Sequence, residues 1–169
     1  MAGALTGIQV SDLSRFISGP LCAMLLADLG ADVGKVESGQ GDPSRLEGPW
    51  FGDESLYYAQ MNRNKRSLTL NLKSPEGVEI ARRLAAESAV VVEHFRPGQM
   101  ARFGLGYADL SALNPALVYC SLTGYGQDGP YADRPGYDFV IQGMSGLMSI
   151  TGPVEGEPYK IGVALSDVI

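Results

Sequence analysis

The sequence predicts an α/β fold in which a mostly parallel β-sheet carries helices on its faces. Two observations lead to this prediction. Segments with strand-like patterns alternate with segments of helical spacing along the 169 residues. In addition, residues 89–92 form a short apolar run of the kind that builds a strand buried on both faces of a parallel sheet. No internal repeat and no long linker divides the chain, so we expect one domain.

In the first part of the chain we expect two strands around one helix. Residues 8–13 alternate apolar and polar side chains, as a half-buried strand does. Apolar residues at helical spacing predict a helix over residues 21–29, which Gly30 ends. Residues 31–36 have the pattern of a second strand, and a polar loop is expected from residue 37 to about residue 53.

The middle of the chain repeats this pattern. Residues 67–72 alternate again and predict a third strand. Ser74 caps a helix that begins at Pro75 and runs to Glu87. Residues 89–92 are the fourth strand.

The last part is predicted to contain a short helix at residues 107–113, a fifth strand at 117–122 and an apolar helix at 138–150. Ligands of parallel sheets bind beyond the carboxyl ends of the strands. We therefore expect binding residues in the segments that follow the strands: 14–19, 37–41, 94–98 and 123–129.

The composition excludes several classes of protein. Apolar residues make up 45% of the chain and charged residues 19%, which is typical of a globular protein rather than a disordered one. The net charge of −6 provides no basic stripe for a nucleic acid. No apolar run approaches the ~18 residues of a membrane span. Cys22 and Cys120 form no CxxC motif, so we expect a reduced, cytoplasmic protein.

Two motifs carry little specific chemistry. Residues 124–129 read Gly-Tyr-Gly-Gln-Asp-Gly, but Pro130 and Pro135 follow too closely for a long helix that could hold a pyrophosphate. A turn that approaches a ligand, or a plain turn, fits better. His94 is the only histidine and is either structural or a general base. One histidine and two distant cysteines cannot build a zinc site, so no metal is expected.

Basic residues gather near the predicted strand ends. Residues 62–66 read Asn-Arg-Asn-Lys-Arg, which is either a solvated charged turn or a phosphate site. Lys73, Arg96 and Arg102 follow neighbouring strands and add positive charge. In an acidic protein, this clustering indicates a phosphorylated cofactor.

Two late carboxylates are candidates for chemistry. Asp138 opens the last predicted helix, where it is either a cap or a functional group. Asp167 is the sole charge within residues 161–169. Burial of a carboxylate is costly unless the group is satisfied or functional. The spacing alone leaves both readings of Asp167 open.

Taken together, these residues resemble the family III coenzyme A transferases, the CaiB/BaiF group that includes formyl-CoA transferase and the α-methylacyl-CoA racemases. The resemblance implies a Rossmann-like sheet with helices on both faces. Family members are considerably longer, so residues 1–169 would be a truncated chain, the N-terminal CoA-binding part of the large domain. The matching stretches run through the whole chain in order: 13–28, 29–37, 41–42, 64–68, 72–77, 91–98, 124–130 and 134–138.

The resemblance also implies a reaction. In this family an aspartate, aligned with Asp167, attacks an acyl-CoA thioester to form a mixed anhydride and then an aspartyl-CoA thioester, from which a carboxylic acid takes over CoA. Coenzyme A or acyl-CoA and a small carboxylic acid are the implied substrates. The implied CoA contacts are Ile17, Ser18, Ser38, Leu70, Asn71, Leu72, Lys73, His94, Phe95, Arg96, Arg102, Pro135, Gly136, Tyr137 and Asp138.

Three positions depart from the family pattern. Some relatives have a glutamine at the position of Ile17 and a basic residue at that of Ser38. The racemases place a catalytic histidine where Tyr137 stands, and a tyrosine with a pKa of about 10 is a poor base near neutrality. A transferase is therefore favoured over a 2-methylacyl-CoA racemase or epimerase, with a CoA-binding fragment without turnover as the other alternative. The resemblance further implies a homodimer, interlocked in full-length members.

Overall fold

The computed structural model describes residues 3–169, so Met1 and Ala2 of the expected 1–169 unit lie outside it. Five parallel strands form the central sheet: β1 (Gln9–Leu13), β2 (Asp32–Glu37), β5 (Lys65–Thr69), β6 (Val90–Glu93) and β7 (Val118–Ser121). Their order across the sheet is β5-β2-β1-β6-β7. A separate antiparallel ribbon pairs β3 (Trp50–Phe51) with β4 (Glu54–Ser55).

In the part of the chain that the structure describes, seven α-helices accompany the strands: α1 (Ser18–Asp28), α2 (Leu56–Asn62), α3 (Pro75–Glu87), α4 (Gln99–Arg102), α5 (Tyr107–Ser111), α6 (Asp138–Met144) and α7 (Leu165–Val168). Short 3₁₀ helices lie at Pro43–Leu46 and Leu147–Ile150. Within residues 3–169, no helix has both the length and the apolar character needed to cross a bilayer.

Two hydrophobic cores lie against the sheet, and together they confirm the predicted α/β fold. One core packs α1 on the sheet through Ala23, Ala27, Val10, Val33 and Val92. The other packs α3, α4 and α5 on the sheet through Ala81, Ala85, Met100, Leu110, Leu13 and Val91. Because successive strand residues face opposite sides, Val91 and Val92 contribute to different cores.

The prediction of a half-buried first strand is wrong, because both faces of β1 are covered. Ser11 is 5% exposed and Asp12 is completely buried. The Ser11 hydroxyl is hydrogen-bonded to the Ser88 hydroxyl at 2.8 Å, and the Asp12 carboxylate accepts a hydrogen bond from the Lys65 ammonium group. Polar residues in β1 therefore do not mark a solvent-facing side.

The third strand of the sheet lies earlier than the predicted residues 67–72. Its first residue, Lys65, is held by its side chain, which donates hydrogen bonds to Asp12 Oδ2 and the Pro20 carbonyl, both at 2.8 Å. Asn71 turns the chain after the strand, since its Oδ1 accepts the Lys73 N–H at 3.0 Å. Anchoring at one end and a turn at the other therefore set the strand at Lys65–Thr69.

Two other regions differ from the expected elements. The predicted loop at 37–53 contains a 3₁₀ helix and β3, and α2 follows unpredicted, capped by Ser55 Oγ, which accepts the Tyr58 N–H at 3.1 Å. The predicted helix at 138–150 breaks after Met144. Gly146 has φ = +81°, a left-handed conformation that ends one helical segment before the next begins.

Four buried charged side chains hold the loops that follow β1 and β2 in place. The ammonium group of Lys35 lies 2.9 Å from Asp42 Oδ2 and donates a hydrogen bond to the Ser14 carbonyl at 2.9 Å. Asp12 Oδ2 lies 2.8 Å from Lys65 Nζ and 3.8 Å from Lys35 Nζ. Two acids and two lysines together carry no net charge, which reduces the cost of their burial.

Glu37, at the end of β2, is a second acidic anchor. It accepts hydrogen bonds from the Arg45 guanidinium (2.7 and 2.8 Å), the Tyr58 hydroxyl (2.9 Å) and the Ser67 hydroxyl (2.6 Å). Burial opposes ionisation of Glu37, but these hydrogen bonds outweigh it and hold the pKa of this carboxyl well below its usual range. Glu37 therefore stays ionised and binds the 3₁₀ helix and α2 to the sheet.

The three cations of the basic patch at residues 62–66 form ion pairs within the fold. Arg63 pairs with Asp28 at 2.5 Å, and Arg66 pairs with Asp32 at 2.6 Å. The third cation, Lys65, is buried against Asp12. Each charge of the patch is thus already paired with a carboxylate of this chain.

We expect Lys35→Met to lower the free energy of unfolding by about 3–5 kcal/mol, because it leaves Asp42 buried without its counter-charge. Urea unfolding followed by circular dichroism measures the change in the complete gene product. Arg66→Met is the matched control: it removes a cation from an exposed pair and is expected to cost less than about 1 kcal/mol. Equal losses in the two variants would contradict the anchoring role of Lys35.

Candidate active site

The sheet order predicts a ligand site at the carboxyl ends of β1 and β6. These strands are neighbours, yet the chain continues from β1 towards β2 on one side and from β6 towards β7 on the other. Ligands of open parallel sheets bind in the crevice where the strand order reverses. Two cavities lie there.

The larger cavity, which we call the Asp167 cavity, has a volume of about 990 Å³. Its wall includes the start of α1, the turn after β7, and α7. Apolar side chains of α1, among them Leu21 and Leu25, cover much of one side. The predicted site residues that line it are Ile17, Ser18, His94, Gly136, Tyr137, Asp138 and Asp167.

The smaller cavity, which we call the Lys73 cavity, has a volume of about 460 Å³. Its aromatic wall is formed by Phe95 and Phe103, whose rings meet edge-to-face at 6.1 Å, and the Arg15 guanidinium lies 5.6 Å from the Phe95 ring. Such a wall can hold a flat ring beside an anion. The predicted site residues that line this cavity are Ser38, Leu70, Asn71, Leu72, Lys73 and Phe95.

The two cavities adjoin each other, because consecutive residues line one and then the other. Arg15 and Phe95 face the Lys73 cavity, whereas Phe16 and His94 face the Asp167 cavity. His94 Nδ1 lies 3.4 Å from the Arg15 carbonyl, which joins the two segments. A long ligand could therefore occupy both cavities at once.

Phe16 has a strained backbone at this boundary. Its φ of +64° lies in the left-handed region that non-glycine residues rarely adopt. The Phe16 N–H donates a hydrogen bond to Asp42 Oδ1 at 3.3 Å. The buried charges below the site thus hold the residue that separates the cavities.

Three predicted contact residues line neither cavity: Arg96, Arg102 and Pro135. Both arginines are exposed, Arg96 in the segment after β6 and Arg102 in the last turn of α4. Contact between CoA and these three residues stays a prediction.

Asp138 and Gln142 of α6 clamp the segment that carries Asp167. Asp138 Oδ1 accepts hydrogen bonds from the backbone N–H (3.0 Å) and hydroxyl (2.7 Å) of Ser166. Asp138 Oδ2 accepts one from Gln142 Nε2 at 2.7 Å. Gln142 is fully buried, and its Oε1 accepts the N–H of Ile161 at 2.8 Å. The carboxylate of Asp138 is therefore engaged in positioning the residue next to Asp167.

The two neighbouring carboxylates have pKa values shifted in opposite directions. Burial, reinforced by the negative charge of Asp138, raises the pKa of Asp167, although His94 opposes the shift. Burial also works against ionised Asp138, but hydrogen bonds from Gln142 and Ser166 lower its pKa overall. Of the two carboxyl groups, Asp138 is therefore the more readily ionised, and Asp167 is the more basic.

Gly124, the first residue of the glycine-rich turn at 124–129, lines the Asp167 cavity. A Cβ on Gly124 would lie only 2.4 Å from the Cα of Gly136, so two backbone segments touch where a side chain would not fit. No helix begins at Gly129, which excludes the dinucleotide interpretation in favour of a turn that approaches the cavity.

Sequence reasoning missed several residues of this site. Lys160 lines the Asp167 cavity and could have been identified from the sequence, because it is the only charged residue besides Asp167 between positions 158 and 169. No local pattern could have identified Phe16 and Tyr57, which line the cavity, or Gln142, which holds the segment at Ile161, since their places follow from tertiary packing. In the described residues 3–169, no three acidic, histidine or cysteine side chains converge as a metal site would require.

Comparison with known proteins identifies the family of the chain. The CoA-transferase family III profile matches residues 5–169. The chain is 49% identical to a succinate–glutarate CoA-transferase of Agrobacterium fabrum, over 97% of this chain and 43% of that protein. It is 50% identical to the human succinyl-CoA:glutarate CoA-transferase, over 97% of this chain and 38% of that protein.

A solved structure gives the same result for the fold. The chain matches the crystal structure of a CaiB/BaiF family protein from Brucella suis with a TM-score of 0.95 and 47% identity, covering 99% of this chain and 46% of that one. The chain thus spans less than half the length of these relatives. Because the family profile matches residues 5–169 and about half of the aligned residues are identical in each of the two CoA-transferases, the chain belongs to CoA-transferase family III.

Proposed function

We propose that the protein transfers coenzyme A from an acyl-CoA thioester to a carboxylic acid, with Asp167 as the nucleophile. The observation that carries the proposal is a partly buried carboxylate of raised pKa in a large cavity at the switch point of the sheet. The adjoining Lys73 cavity suits the nucleotide end of CoA. In this proposal residues 1–169 are the CoA-binding part of the large domain.

The proposed reaction proceeds through covalent intermediates on Asp167. The carboxylate attacks the thioester carbonyl, which forms an anhydride and releases CoA thiolate. The thiolate attacks the Asp167 carbonyl, which gives an aspartyl-CoA thioester and frees the donor acid. The acceptor carboxylate attacks this thioester and displaces the thiolate, which then takes the acceptor acyl group from the second anhydride and restores Asp167.

Oxyanions that develop in these steps need hydrogen-bond donors, and the start of α1 can provide them. Ser18, the first residue of α1, lines the Asp167 cavity, and no side chain caps this helix. The N-terminal backbone N–H groups of an 11-residue helix carry partial positive charge. The helix therefore stabilises negative charge in the transition state more than in the neutral thioester.

Charge determines how CoA is oriented in the proposal. Arg15 and Lys73 line the Lys73 cavity, whose two acidic residues, Glu37 and Asp42, are neutralised by Arg45 and Lys35. Asp138 and Asp167 make the other cavity acidic. The phosphates of CoA are attracted to the first and repelled by the second. The adenosine and phosphates therefore occupy the Lys73 cavity, and the thioester reaches Asp167.

The proposal extends to substrates and assembly. Succinate and glutarate appear in the names of the two relatives, so we propose dicarboxylic acids as donor and acceptor for this protein. A homodimer in the cytoplasm is part of the same proposal. Large apolar side chains at the protein surface, such as Ile150 and Val154, are consistent with a further contact surface.

One observation favours a second candidate function, racemisation of 2-methylacyl-CoA. His94 lines the same cavity as Asp167 and could replace the base that Tyr137 does not supply. The transferase has the stronger support, because both relatives are named as transferases.

Asp167→Asn in the complete gene product is expected to keep CoA binding and to lose CoA exchange by several orders of magnitude, because the amide is not nucleophilic. In the wild type incubated with acyl-CoA, hydroxylamine should trap a hydroxamate on Asp167, detected by peptide mass spectrometry. Trapping on Asp138, or wild-type exchange by the variant, would refute the assignment. CoA binding without any trapped intermediate would favour the binding fragment.

Lys73→Ala combined with Arg102→Ala is expected to weaken CoA binding and to reduce its salt dependence, because two phosphate-binding cations are lost. Calorimetric titration at two salt concentrations measures both effects. Arg82→Ala is the control, since Arg82 is an exposed arginine on α3 that is not among the proposed CoA contacts. Unchanged affinity in the double variant would contradict the proposed orientation of CoA.

In deuterated water, the complete protein is expected not to exchange the α-proton of a 2-methylacyl-CoA, because Tyr137 is a poor base near neutrality. Mass spectrometry of the recovered thioester measures deuterium uptake, and His94→Gln is the matched variant. Uptake by the wild type that disappears in His94→Gln would establish the racemase instead.

A further inference from the structure

Lys160 is the only lysine or arginine that lines the Asp167 cavity, among the residues the structure describes. No carboxylate of residues 3–169 lies within 4.0 Å of its ammonium group, unlike the ammonium groups of Lys35 and Lys65. Lys160 Nζ lies 5.0 Å from the centre of the Phe139 ring and donates a hydrogen bond to the Ile161 carbonyl at 3.4 Å. Its charge is therefore available to a ligand.

The position of Lys160 is tied to that of Asp167. They flank the segment 161–166, which α6 holds near both ends. Gln142 accepts the Ile161 N–H at 2.8 Å, and Asp138 accepts the Ser166 N–H at 3.0 Å. Lys160 and Asp167 thus lie at opposite ends of one segment that α6 holds in place, and both line the same cavity.

The charge balance of the cavity shows what this cation is suited to bind. Asp138 and Asp167 contribute two negative charges and Lys160 one positive charge. A dicarboxylic acyl group that reacts at one end keeps a free carboxylate at the other. In a partly buried cavity that already holds two anions, this distal carboxylate needs a cation.

We propose that Lys160 binds the distal carboxylate of a dicarboxylic acyl-CoA or acceptor acid while Asp167 attacks the reacting end. This inference rests on the proposed transferase function and deepens it, because it assigns the choice of dicarboxylic over monocarboxylic acids to one residue. The ammonium group is a point charge on a flexible four-carbon stem, so it selects for a second charge more than for one chain length.

Two other roles for Lys160 are distinguishable from this one. If its contact with the Phe139 ring only stabilises the fold, substitution affects all substrates through stability. If Lys160 binds a CoA phosphate, substitution weakens every acyl-CoA equally. Selection of dicarboxylic acids alone predicts an effect that depends on the distal group of the substrate.

The test compares two substrate pairs in the complete gene product: succinyl-CoA with glutarate, and butyryl-CoA with valerate. We expect Lys160→Met to lower kcat/KM for the dicarboxylic pair by about 10- to 100-fold, the size of a lost charged hydrogen bond. The monocarboxylic pair should be unchanged or improved. KM should account for most of the effect, since the distal carboxylate is bound in both the ground state and the transition state.

Lys160→Arg is the conservative control and should keep the dicarboxylic preference, while Lys160→Gln replaces Lys160→Met if the latter does not fold. Equal losses for both pairs, or no change for either, would overturn the role of Lys160 while leaving the transferase function intact. A wild type that transfers CoA between no pair of acids would instead overturn the proposed function, and this inference with it.

Discussion

The geometry of the site depends on one buried ammonium group, that of Lys35. It lies inside the protein on β2, 2.9 Å from a carboxylate oxygen of Asp42 and 2.9 Å from the carbonyl oxygen of Ser14. A lysine at this depth is tolerated only where acceptors and opposite charge replace its water. The loops after β1 and β2 therefore have to close around it, and these loops provide walls of both cavities.

The strain at Phe16 follows from the same constraint. Asp42 faces Lys35 with one oxygen, and with the other it accepts the N–H of Phe16, which adopts the left-handed conformation. Backbone strain of this kind persists only where the surrounding contacts dictate it. Here it places Phe16 in one cavity and Arg15 in the other, so the boundary between the two cavities is a product of the buried charge.

The sequence predicted those parts of the fold that local patterns encode. Ser74, Pro75 and the apolar spacing set α3 as predicted, because caps and periodicity act within a few residues. Lys35 could not be predicted as buried, since a lysine in a strand has the same local pattern whether it faces solvent or two carboxylates. Asp167 could be identified because it is isolated among apolar residues. The role of Gln142 could not, because it depends on a hydrogen bond to Ile161, which lies 19 positions away in the sequence.

The ion-paired side chains and the unpaired side chains of Lys73, Lys160 and Asp167 lie in different parts of the chain. All six ion pairs join residues within the first 66 positions, and in the described residues 67–169 none forms within 4.0 Å. The paired charges hold the scaffold together. Of the charges that line the cavities, Lys73, Lys160 and Asp167 lack such partners, whereas Glu37 and Asp42 are paired with Arg45 and Lys35. A phosphate or carboxylate that binds Lys73 or Lys160 therefore breaks no existing ion pair, so its attraction to these cations is not offset by the loss of one.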